Sequence, residues 1–372
     1  MNKLYHMLPV AAPDYCGAMS VFVKMNCLMV FHGQGGCVGN YSAVDEIKWM
    51  ETGKRLVMSR ISETEAVTGC DESFVEKVVD AFKRVNCEFV VVFSSPIAMI
   101  TGIDIPALCR IIEKKIEHPV IAMNTHGFTS YAAGIELAYE QIYNHFIKQN
   151  SEQKKCMGKT ASLIGATSYD GFPDQSVQDM KDRLYAEGYD QVFCWGEDFP
   201  LGKWADVKNT EKNYVVSVAG LKVAEAMKKE MGIPYEVGIP VGMKDDEPEN
   251  QKETDLRILI IGEQIQGNSI RKCLEQEWGI KAVDVVSIFK MELSLMRGQD
   301  KAFKDEWELT EYLKSGKWDY VIADPLYKVF VSEKSVFVPL PHLAISSRIN
   351  TKELVNLIGE NGSRYLKRFI EN

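Results

Sequence analysis

The stretch that decides the fold is residues 16–41, which read CGAMSVFVKMNCLMVFHGQGGCVGNY. Its apolar run at 27–31 has the length of a buried β-strand, and the glycines that follow it indicate a sharp turn. Apolar residues then recur at helical spacing over 38–50. The pattern predicts a strand, a glycine-rich turn and a helix, which together form one unit of a parallel α/β fold.

Two cysteines flank this strand, Cys16 before it and Cys37 at the end of the turn. We expect Cys37 at a helix N-terminus, where unpaired backbone N–H groups and the helix dipole favour a thiolate, the form that binds metal. The alternative is that both cysteines pack as small hydrophobic residues. Their spacing matches no recognised zinc pattern, so these residues alone leave both interpretations open.

The composition indicates a globular protein of two or three domains. The chain has 372 residues, of which 46% are hydrophobic and 26% charged. It shows neither a run of about 20 apolar residues nor a signal peptide pattern, so we expect a cytoplasmic protein with no membrane partner. A net charge of −9 without a basic block argues against nucleic acid as a partner.

Cysteine usage favours reduced thiols or metal ligands over a disulfide framework, because an odd number occurs in a large chain. The nine positions are 16, 27, 37, 70, 87, 109, 156, 194 and 273. Core packing explains Cys87 and Cys109 adequately, and we assign Cys273 to a helix face in the third domain. Cys70 precedes a predicted helix, and it is either a buried thiol at the helix cap or a further metal ligand.

Short β-rich runs alternate with helical patterns along the whole chain, which predicts three α/β domains with parallel sheets. Polar linkers at 149–155 and 244–255 place the domains at 1–156, 157–250 and 251–372, the last with a C-terminal helix. The predicted strands are 27–31, 56–59, 88–93, 119–123, 161–166, 191–194, 214–218, 257–262, 283–288, 320–323 and 336–338. The predicted helices include 38–50, 72–85, 176–187, 219–231 and a terminal helix at 351–370 that packs on the first domain.

The third domain contains a sequence that looks like a phosphate loop, with Gly262 and Gly267 after a strand. It lacks the lysine that reaches the β- and γ-phosphates in such loops, and the sequence has no complete motif of this kind elsewhere. If the reaction needs ATP hydrolysis, another protein must supply it.

Four segments together resemble the nitrogenase component 1 family. The first two are the start of the opening stretch at Cys16 and the sequence HGQGGC at 32–37. The others are SSPIAMITGIDI at 94–105 and NTHGF at 124–128. The resemblance implies three Rossmann-like domains, and it implies that Cys16 and Cys37 bind an iron-sulfur cluster at a subunit interface.

Departures from the family pattern limit the cofactors that the resemblance implies. Ser95, or Pro96 if the gap is placed differently, stands where the family has another cluster cysteine, so the larger eight-iron cluster is not expected. Val215, Val216 and Ser217 stand where a cysteine anchors the iron-molybdenum cofactor, which argues against dinitrogen reduction. Two cysteines per subunit would supply four thiolates to one [4Fe-4S] cluster on the axis of a homodimer. A heterodimer with a sister subunit that carries three cysteines fits equally well.

The resemblance therefore implies an oxidoreductase subunit that receives electrons from an ATP-dependent reductase of the nitrogenase iron-protein type. The electrons would pass through the interface cluster to a substrate bound between the domains, and the sequence does not identify that substrate. The alternative is a protein that binds a metallocluster or a tetrapyrrole as a scaffold without turnover. A sugar-nucleotide or periplasmic-type binding fold explains the joint presence of the four segments poorly.

Three histidines and one turn segment are further candidates. We expect His32 to fix the turn before Cys37 by donating to the backbone. His126 either satisfies a neighbouring carbonyl or supplies protons, and His342 is a candidate for substrate contact. The segment DGFPD, from Asp170 to Asp174, predicts a turn with a helix cap, and the alternative is that it lines a substrate cleft.

Overall fold

Three parallel β-sheets form the framework of the molecule, as the sequence pattern predicts. They are seen in a computed structural model that describes residues 8, 11–42, 46–50, 55–148, 158–197, 200–242 and 254–370. Within these residues, no helix combines the length and the apolar character needed to cross a bilayer.

The first sheet has the order β2-β1-β3-β4. Its central strands β1 and β3 are buried along their whole length, which explains why they read as continuous apolar runs. Its strands are β1 (Cys27–His32), β2 (Leu56–Met58), β3 (Phe89–Ser94) and β4 (Val120–Met123). The accompanying helices are α1 (Asp14–Phe22), α2 (Gly35–Asn40), α3 (Glu63–Thr68), α4 (Asp71–Arg84), α5 (Pro96–Ile100), α6 (Ile105–Ile116) and α7 (Tyr131–Ile142). A 3-10 turn follows α2 at Ile47–Met50, and a π-helical turn extends α7 over Tyr143–Lys148.

The second sheet has the order β6-β5-β7-β8. Its strands are β5 (Thr160–Ile164), β6 (Gln191–Cys194), β7 (Lys212–Val215) and β8 (Tyr235–Val237). Helix α8 (Asp174–Ala186) follows β5, and α9 (Leu221–Met231) follows β7. Helix α9 ends at Gly232, whose φ of 75° suits glycine, as the Gly-Ile-Pro sequence predicts. Short 3-10 helices occupy Leu201–Asn209 and Val218–Gly220.

The third sheet has the order β11-β10-β9-β12-β13. Its strands are β9 (Thr254–Ile261), β10 (Ile280–Ser287), β11 (Lys301–Ala302), β12 (Tyr320–Ala323) and β13 (Val336–Pro339). Its helices are α10 (Gln264–Trp278), α11 (Glu306–Ser315), α12 (Leu343–Ser346) and α13 (Glu360–Ile370), with 3-10 turns at Leu293–Leu295, Pro325–Phe330 and Ser347–Glu353.

Some local expectations are wrong. The predicted helix at 38–50 is replaced by the short α2 and a separate 3-10 turn. The predicted second linker is too long at its end, because β9 already begins at Thr254. The rest of this linker and the whole of the first linker lie outside the described residues. The domain boundaries stay predictions.

The terminal helix α13 packs on the third sheet and not on the first domain. Leu366 of α13 belongs to the same apolar cluster as Ile258 of β9 and Leu274 of α10. The segment before α13 does reach the first domain, because Ala12 N–H donates to the Ala344 carbonyl at 2.9 Å.

Helices α1 and α7 pack with their backbones in direct contact through two glycines. A Cβ atom on Gly17 would overlap the backbone carbonyl of Tyr131 in α7. A Cβ atom on Gly134 would overlap the backbone carbonyl of Asp14 in α1. The absence of side chains at both positions therefore sets the distance between the two helices.

We expect Gly134→Ala to lower the free energy of unfolding by about 1–3 kcal/mol, because the added methyl group forces the two helices apart. Urea denaturation followed by circular dichroism measures this change. Gly202→Ala is the control, since a Cβ atom at Gly202 meets only open space. Equal stability of the two variants would contradict the proposed packing constraint.

Candidate functional site

The loops after β1, β3 and β4 meet at one edge of the first sheet, because parallel strands direct their carboxyl ends the same way. A Cβ atom on Gly33, after β1, would lie 2.6 Å from the Cβ atom of Ser95, after β3. A Cβ atom on Gly127, after β4, would lie 2.9 Å from the ring of Pro96. We call this region the carboxyl edge of the first sheet.

A buried carboxylate, that of Asp14 in the first turn of α1, organises the carboxyl edge. It accepts hydrogen bonds from the backbone N–H groups of Tyr15 at 2.7 Å, Gly127 at 2.7 Å and His126 at 3.1 Å. The hydroxyl of Thr129 donates a further bond at 3.1 Å. Four donors compensate the burial of this charge, and together they fix the loop after β4 on α1.

His126 lies in that loop with its ring half-buried. Its Nδ1 accepts a hydrogen bond from the Phe128 N–H at 3.1 Å and lies 3.5 Å from the Asp14 carboxylate. The ring also stacks on Phe128, with 5.8 Å between the ring centroids. The structure thus gives His126 an amide and a carboxylate as neighbours in place of the predicted carbonyl.

Cys16 and Cys37 each occupy the third position of a helix at this edge, Cys16 in α1 and Cys37 in α2. Cys16 is 1% exposed and belongs to the large apolar cluster under the edge. Cys37 is half-buried, packs against the same cluster and follows the exposed residues 34–36. The prediction of a helix N-terminus at Cys37 is confirmed to within the first helical turn.

His32 points into the interior and donates no hydrogen bond to the backbone, so the predicted backbone contact is wrong. Its Nδ1 lies 2.7 Å from the Ser59 Oγ, its Nε2 lies 3.7 Å from the Cys70 Sγ, and its ring packs on Phe74. Burial, assisted by the positive charge of Lys77, lowers the pKa of His32 to about 4. The ring is therefore neutral near neutral pH.

Cys70 and Ser95 each begin a helix. Cys70 is the buried residue before α4, as the cap interpretation predicts, and burial raises the pKa of its thiol. Ser95 is fully buried, and its Oγ accepts a hydrogen bond from the Ala98 N–H at 3.2 Å. The hydroxyl at the position of the family's additional cysteine therefore caps α5.

Large apolar side chains lie exposed along the carboxyl edge, in the segments that follow β2, β3 and β4. We call them the edge patch: Val67, 88% exposed, Met99, 45%, Ile100, 69%, and Phe128, 64%. Exposed apolar surfaces of this kind are typical of protein interfaces.

A second group of polar residues is buried where the carboxyl ends of the second and third sheets face the start of α7. We call it the junction cluster: Tyr131, Asp170, Ser217, Glu263 and His342. The Tyr131 hydroxyl donates to Asp170 at 2.9 Å and lies 3.2 Å from the His342 Nε2. Because Tyr131 gives its only proton to Asp170, the His342 Nε2 must be the donor to the Tyr131 oxygen.

The Glu263 carboxylate stabilises the start of α10 and joins the second and third sheets. It accepts hydrogen bonds from the Gln266 N–H at 2.8 Å and from the Val218 N–H at 2.9 Å. The Glu263 carboxylate thus lies at the start of α10, where a phosphate loop would bind its phosphate. The absence of a working phosphate loop, inferred from the missing lysine, is consistent with this geometry.

Burial shifts the titration of the junction cluster. It raises the pKa of Asp170 and that of Glu263, and the negative charge of Asp170 raises the pKa of Glu263 further. Burial lowers the pKa of His342 to about 3, so this imidazole is neutral. The His342 Nδ1 has no hydrogen-bond partner among the described residues.

Aromatic rings fill the space around these polar groups. The ring of Phe289 packs edge-to-face on Tyr131 at 5.0 Å and lies 4.9 Å from the ring of His342. Tyr169 stacks on the other side of Tyr131 at 5.9 Å. The predicted turn at 170–174 is present, and its Pro173 is the residue before α8, but no side chain caps that helix.

The sequence pointed to the cysteines but missed Asp14, Tyr131 and Glu263, which belong to no recognised motif. Their contacts join residues more than 30 positions apart, so no local pattern could reveal them. In the described part of the chain, no group of three or more His, Cys, Asp or Glu side chains is arranged to hold a metal ion.

Comparison with known proteins defines the class. The nitrogenase component 1 type oxidoreductase family matches residues 13–246, which is more than half of the chain. The chain therefore belongs to this family, and its three parallel sheets agree with that assignment.

Two curated relatives are nitrogenase iron-molybdenum cofactor biosynthesis proteins NifE. The protein from Bradyrhizobium diazoefficiens is 25% identical over 190 residues, covering 50% of this chain and 33% of its own length. The protein from Rippkaea orientalis is 25% identical over 222 residues, covering 55% of this chain and 43% of its own length. The chain thus spans less than half the length of these relatives.

Solved structures of nitrogenase Cp1 share the fold. The structure at pH 6.5 has a TM-score of 0.73 at 15% identity and covers 100% of this chain and 94% of its own. The structure at pH 5 has a TM-score of 0.67 at 17% identity, covering 92% and 85%. The predicted component 1-like fold is confirmed.

We expect Glu263→Gln to flatten the pH dependence of stability. In the wild type, the pKa of Glu263 is raised from 4.5 to about 8, so the folded state holds this proton more tightly than the unfolded chain. The resulting stability is present below the unfolded pKa and is lost as the pH rises through the folded pKa. The variant should gain free energy of unfolding relative to wild type between about pH 5 and about pH 8, measured by urea denaturation.

Glu311→Gln is the control, because the Glu311 side chain is 54% exposed on the surface of the third domain. It should retain the wild-type slope of stability against pH. A wild-type slope in Glu263→Gln would show that the Glu263 carboxylate is not held protonated in the folded protein.

Proposed function

We propose that this protein is a component 1 type reductase subunit that binds an iron-sulfur cluster through Cys16 and Cys37 at a subunit interface. The cluster accepts electrons from an ATP-dependent reductase of the nitrogenase iron-protein type and passes them to a bound substrate. The observation that carries the proposal is that Cys37 opens onto the same sheet edge as the exposed edge patch.

The two cysteines fit a cluster bound at a protein surface. Each lies in the first turn of a helix, where backbone N–H groups favour a thiolate. Cys16 is buried inside the large apolar cluster of the molecule, and Cys37 packs against that cluster with part of its surface exposed. An apolar environment of this kind lowers solvent access to a cluster and helps to set its potential.

A second subunit completes the site in this proposal. Two thiolates are half of the four that a [4Fe-4S] cluster takes, and a twofold axis through the edge would supply the rest. In this proposal the same contact covers the edge patch and the exposed residues 34–36 that precede Cys37. A heterodimer with a sister subunit is the alternative partner arrangement.

In this proposal the ATP-dependent step belongs to the partner reductase and not to this chain. The Glu263 carboxylate occupies the start of α10, and the sequence offers no phosphate-loop lysine. The cluster itself would supply one-electron storage with little rearrangement. A cytoplasmic location suits such a centre, and no disulfide forms among the described cysteines.

A second candidate function is a scaffold for a metallocluster or tetrapyrrole without turnover. It is favoured by the junction cluster. The side chains of Tyr131, Phe289 and His342 fill the space between the domains, which is where the reductase would bind its substrate. The names of the curated relatives also refer to cofactor biosynthesis.

Anaerobic purification with iron and sulfide analysis tests the cluster. A homodimer with one [4Fe-4S] cluster should contain about two iron atoms per chain. Cys37→Ala should lose the iron and the brown absorbance but keep the far-ultraviolet circular dichroism spectrum, because Cys37 is only half-buried. Cys273→Ala is the control, since Cys273 lies in the core of the third domain.

Unchanged iron in Cys37→Ala, or loss of iron in Cys273→Ala, would remove the ligand assignment. The two candidate functions are separated by adding a nitrogenase-type iron protein, ATP and a reductant to the iron-loaded protein. Re-oxidation of the reduced cluster by an added substrate supports the reductase, whereas a cluster that stays reduced with every substrate tested supports the scaffold.

The edge patch provides an independent test of the interface. We expect Phe128→Asp combined with Ile100→Asp to convert a dimer into monomers and to lower the iron content, because each subunit then offers only two thiolates. Light scattering and iron analysis measure the two effects.

Val329→Asp is the matched control, because Val329 is 65% exposed on the third domain, away from this edge. It should leave both the mass and the iron content unchanged. A double variant that remains a dimer with full iron would contradict the proposed interface.

A further inference from the structure

A cleft between the second and third domains lies apart from both sites described above. Its volume is about 610 Å³, which is within the range of small-molecule sites. One wall is formed by α8, β7 and β8, and the other by the first turns of α10 and the segment 294–297. The cleft shares no lining residue with the junction cluster or with the carboxyl edge.

Half-buried apolar side chains form part of the accessible surface of the cleft. From the second domain they include Tyr214, Val237 and Pro240. From the third domain they include Leu295 and Met296. This surface suits the apolar body of an organic molecule.

Side chains of α10 hold both walls in place. The Ser269 Oγ accepts a hydrogen bond from the Ile239 N–H at 3.0 Å, which ties the end of β8 to α10. The Asn268 Nδ2 donates to the Leu295 carbonyl at 2.9 Å, and Gln264 exchanges hydrogen bonds with the Glu292 backbone at 2.7 and 3.0 Å. The shape of the cleft is therefore built into the folded chain, so a ligand would not have to order it.

The mouth of the cleft carries more positive than negative charge. Its lining residues include four cations and two carboxylates: Arg183, Lys212, Lys272, Arg297, Glu187 and Glu236. Glu187 pairs with Arg183 at 3.3 Å, and Glu236 pairs with Lys212 at 2.7 Å. Arg297 lies 3.4 Å from Glu275, and Lys272 is exposed with no ion pair formed within the described residues.

We propose that this cleft binds an organic anion, with its apolar body against Tyr214, Val237 and Leu295 and its carboxylate, sulfonate or phosphate group at Lys272 and Arg297. The proposal is independent of the cluster at the first sheet, because no residue is shared. Binding here would bridge the second and third domains and stabilise their contact.

Equilibrium dialysis with anilinonaphthalene sulfonate tests this site, with uncharged phenylnaphthylamine as the probe that has the same aromatic body. The sulfonate should bind more tightly than the uncharged compound. Lys272→Glu should weaken sulfonate binding about tenfold, because it reverses the charge beside the anion, and should change binding of the uncharged compound little. Ser294→Trp should abolish binding of both, because the new ring fills the cleft.

Lys317→Glu is the matched control, since Lys317 is exposed on the third domain and does not line the cleft. It makes the same change in net charge and should keep the wild-type affinity. If Lys272→Glu and Ser294→Trp bind the sulfonate as the wild type does, the cleft is not the site. Circular dichroism spectra identical to that of the wild type exclude misfolding as the cause of any loss.

Discussion

The contact between α1 and α7 is the constraint on which both buried regions depend. Gly17 and Gly134 allow the two helix backbones to touch, so the position of one helix fixes the position of the other. Helix α1 carries Cys16 and the Asp14 carboxylate to the carboxyl edge of the first sheet. Helix α7 begins with Tyr131 in the junction cluster. A small displacement at the glycine contact would therefore shift residues both at the carboxyl edge and in the junction cluster.

The two regions differ in how they handle buried polarity. At the carboxyl edge, four hydrogen-bond donors surround the Asp14 carboxylate and compensate for its burial. In the junction cluster, burial pushes Asp170, Glu263 and His342 towards their neutral forms. The junction thus disfavours charge, and a charged ligand entering it would need the aromatic packing around Tyr131 to open. The cationic cleft between the second and third domains offers an anion a far less costly environment.

Long buried strands were readable from the sequence because their apolar runs are continuous, as in β1, β3 and β12. Helix α1 was not, since nearly all of its side chains are buried and no polar face reveals a helical period. The short edge strands β8 and β11 are also too brief to form a pattern. At the candidate site, Cys37 was recognisable from its glycine turn. Asp14 was not, because three of its four hydrogen-bond partners lie more than 110 residues away in the sequence.

Because residue 95 is a serine and not a cysteine, it supplies no further thiol to the proposed cluster, and this bears on how many subunits the cluster needs. The Ser95 hydroxyl caps α5 and its side chain lies against Gly33, so this position serves the local fold. In the proposed site Cys16 and Cys37 are the ligands, so each subunit provides two sulfur ligands. A four-iron cluster takes four such ligands, so cluster binding and pairing of subunits become one event. Under that proposal, the exposed apolar edge patch is the surface that dimerisation covers, and a monomer would neither bury it nor retain iron.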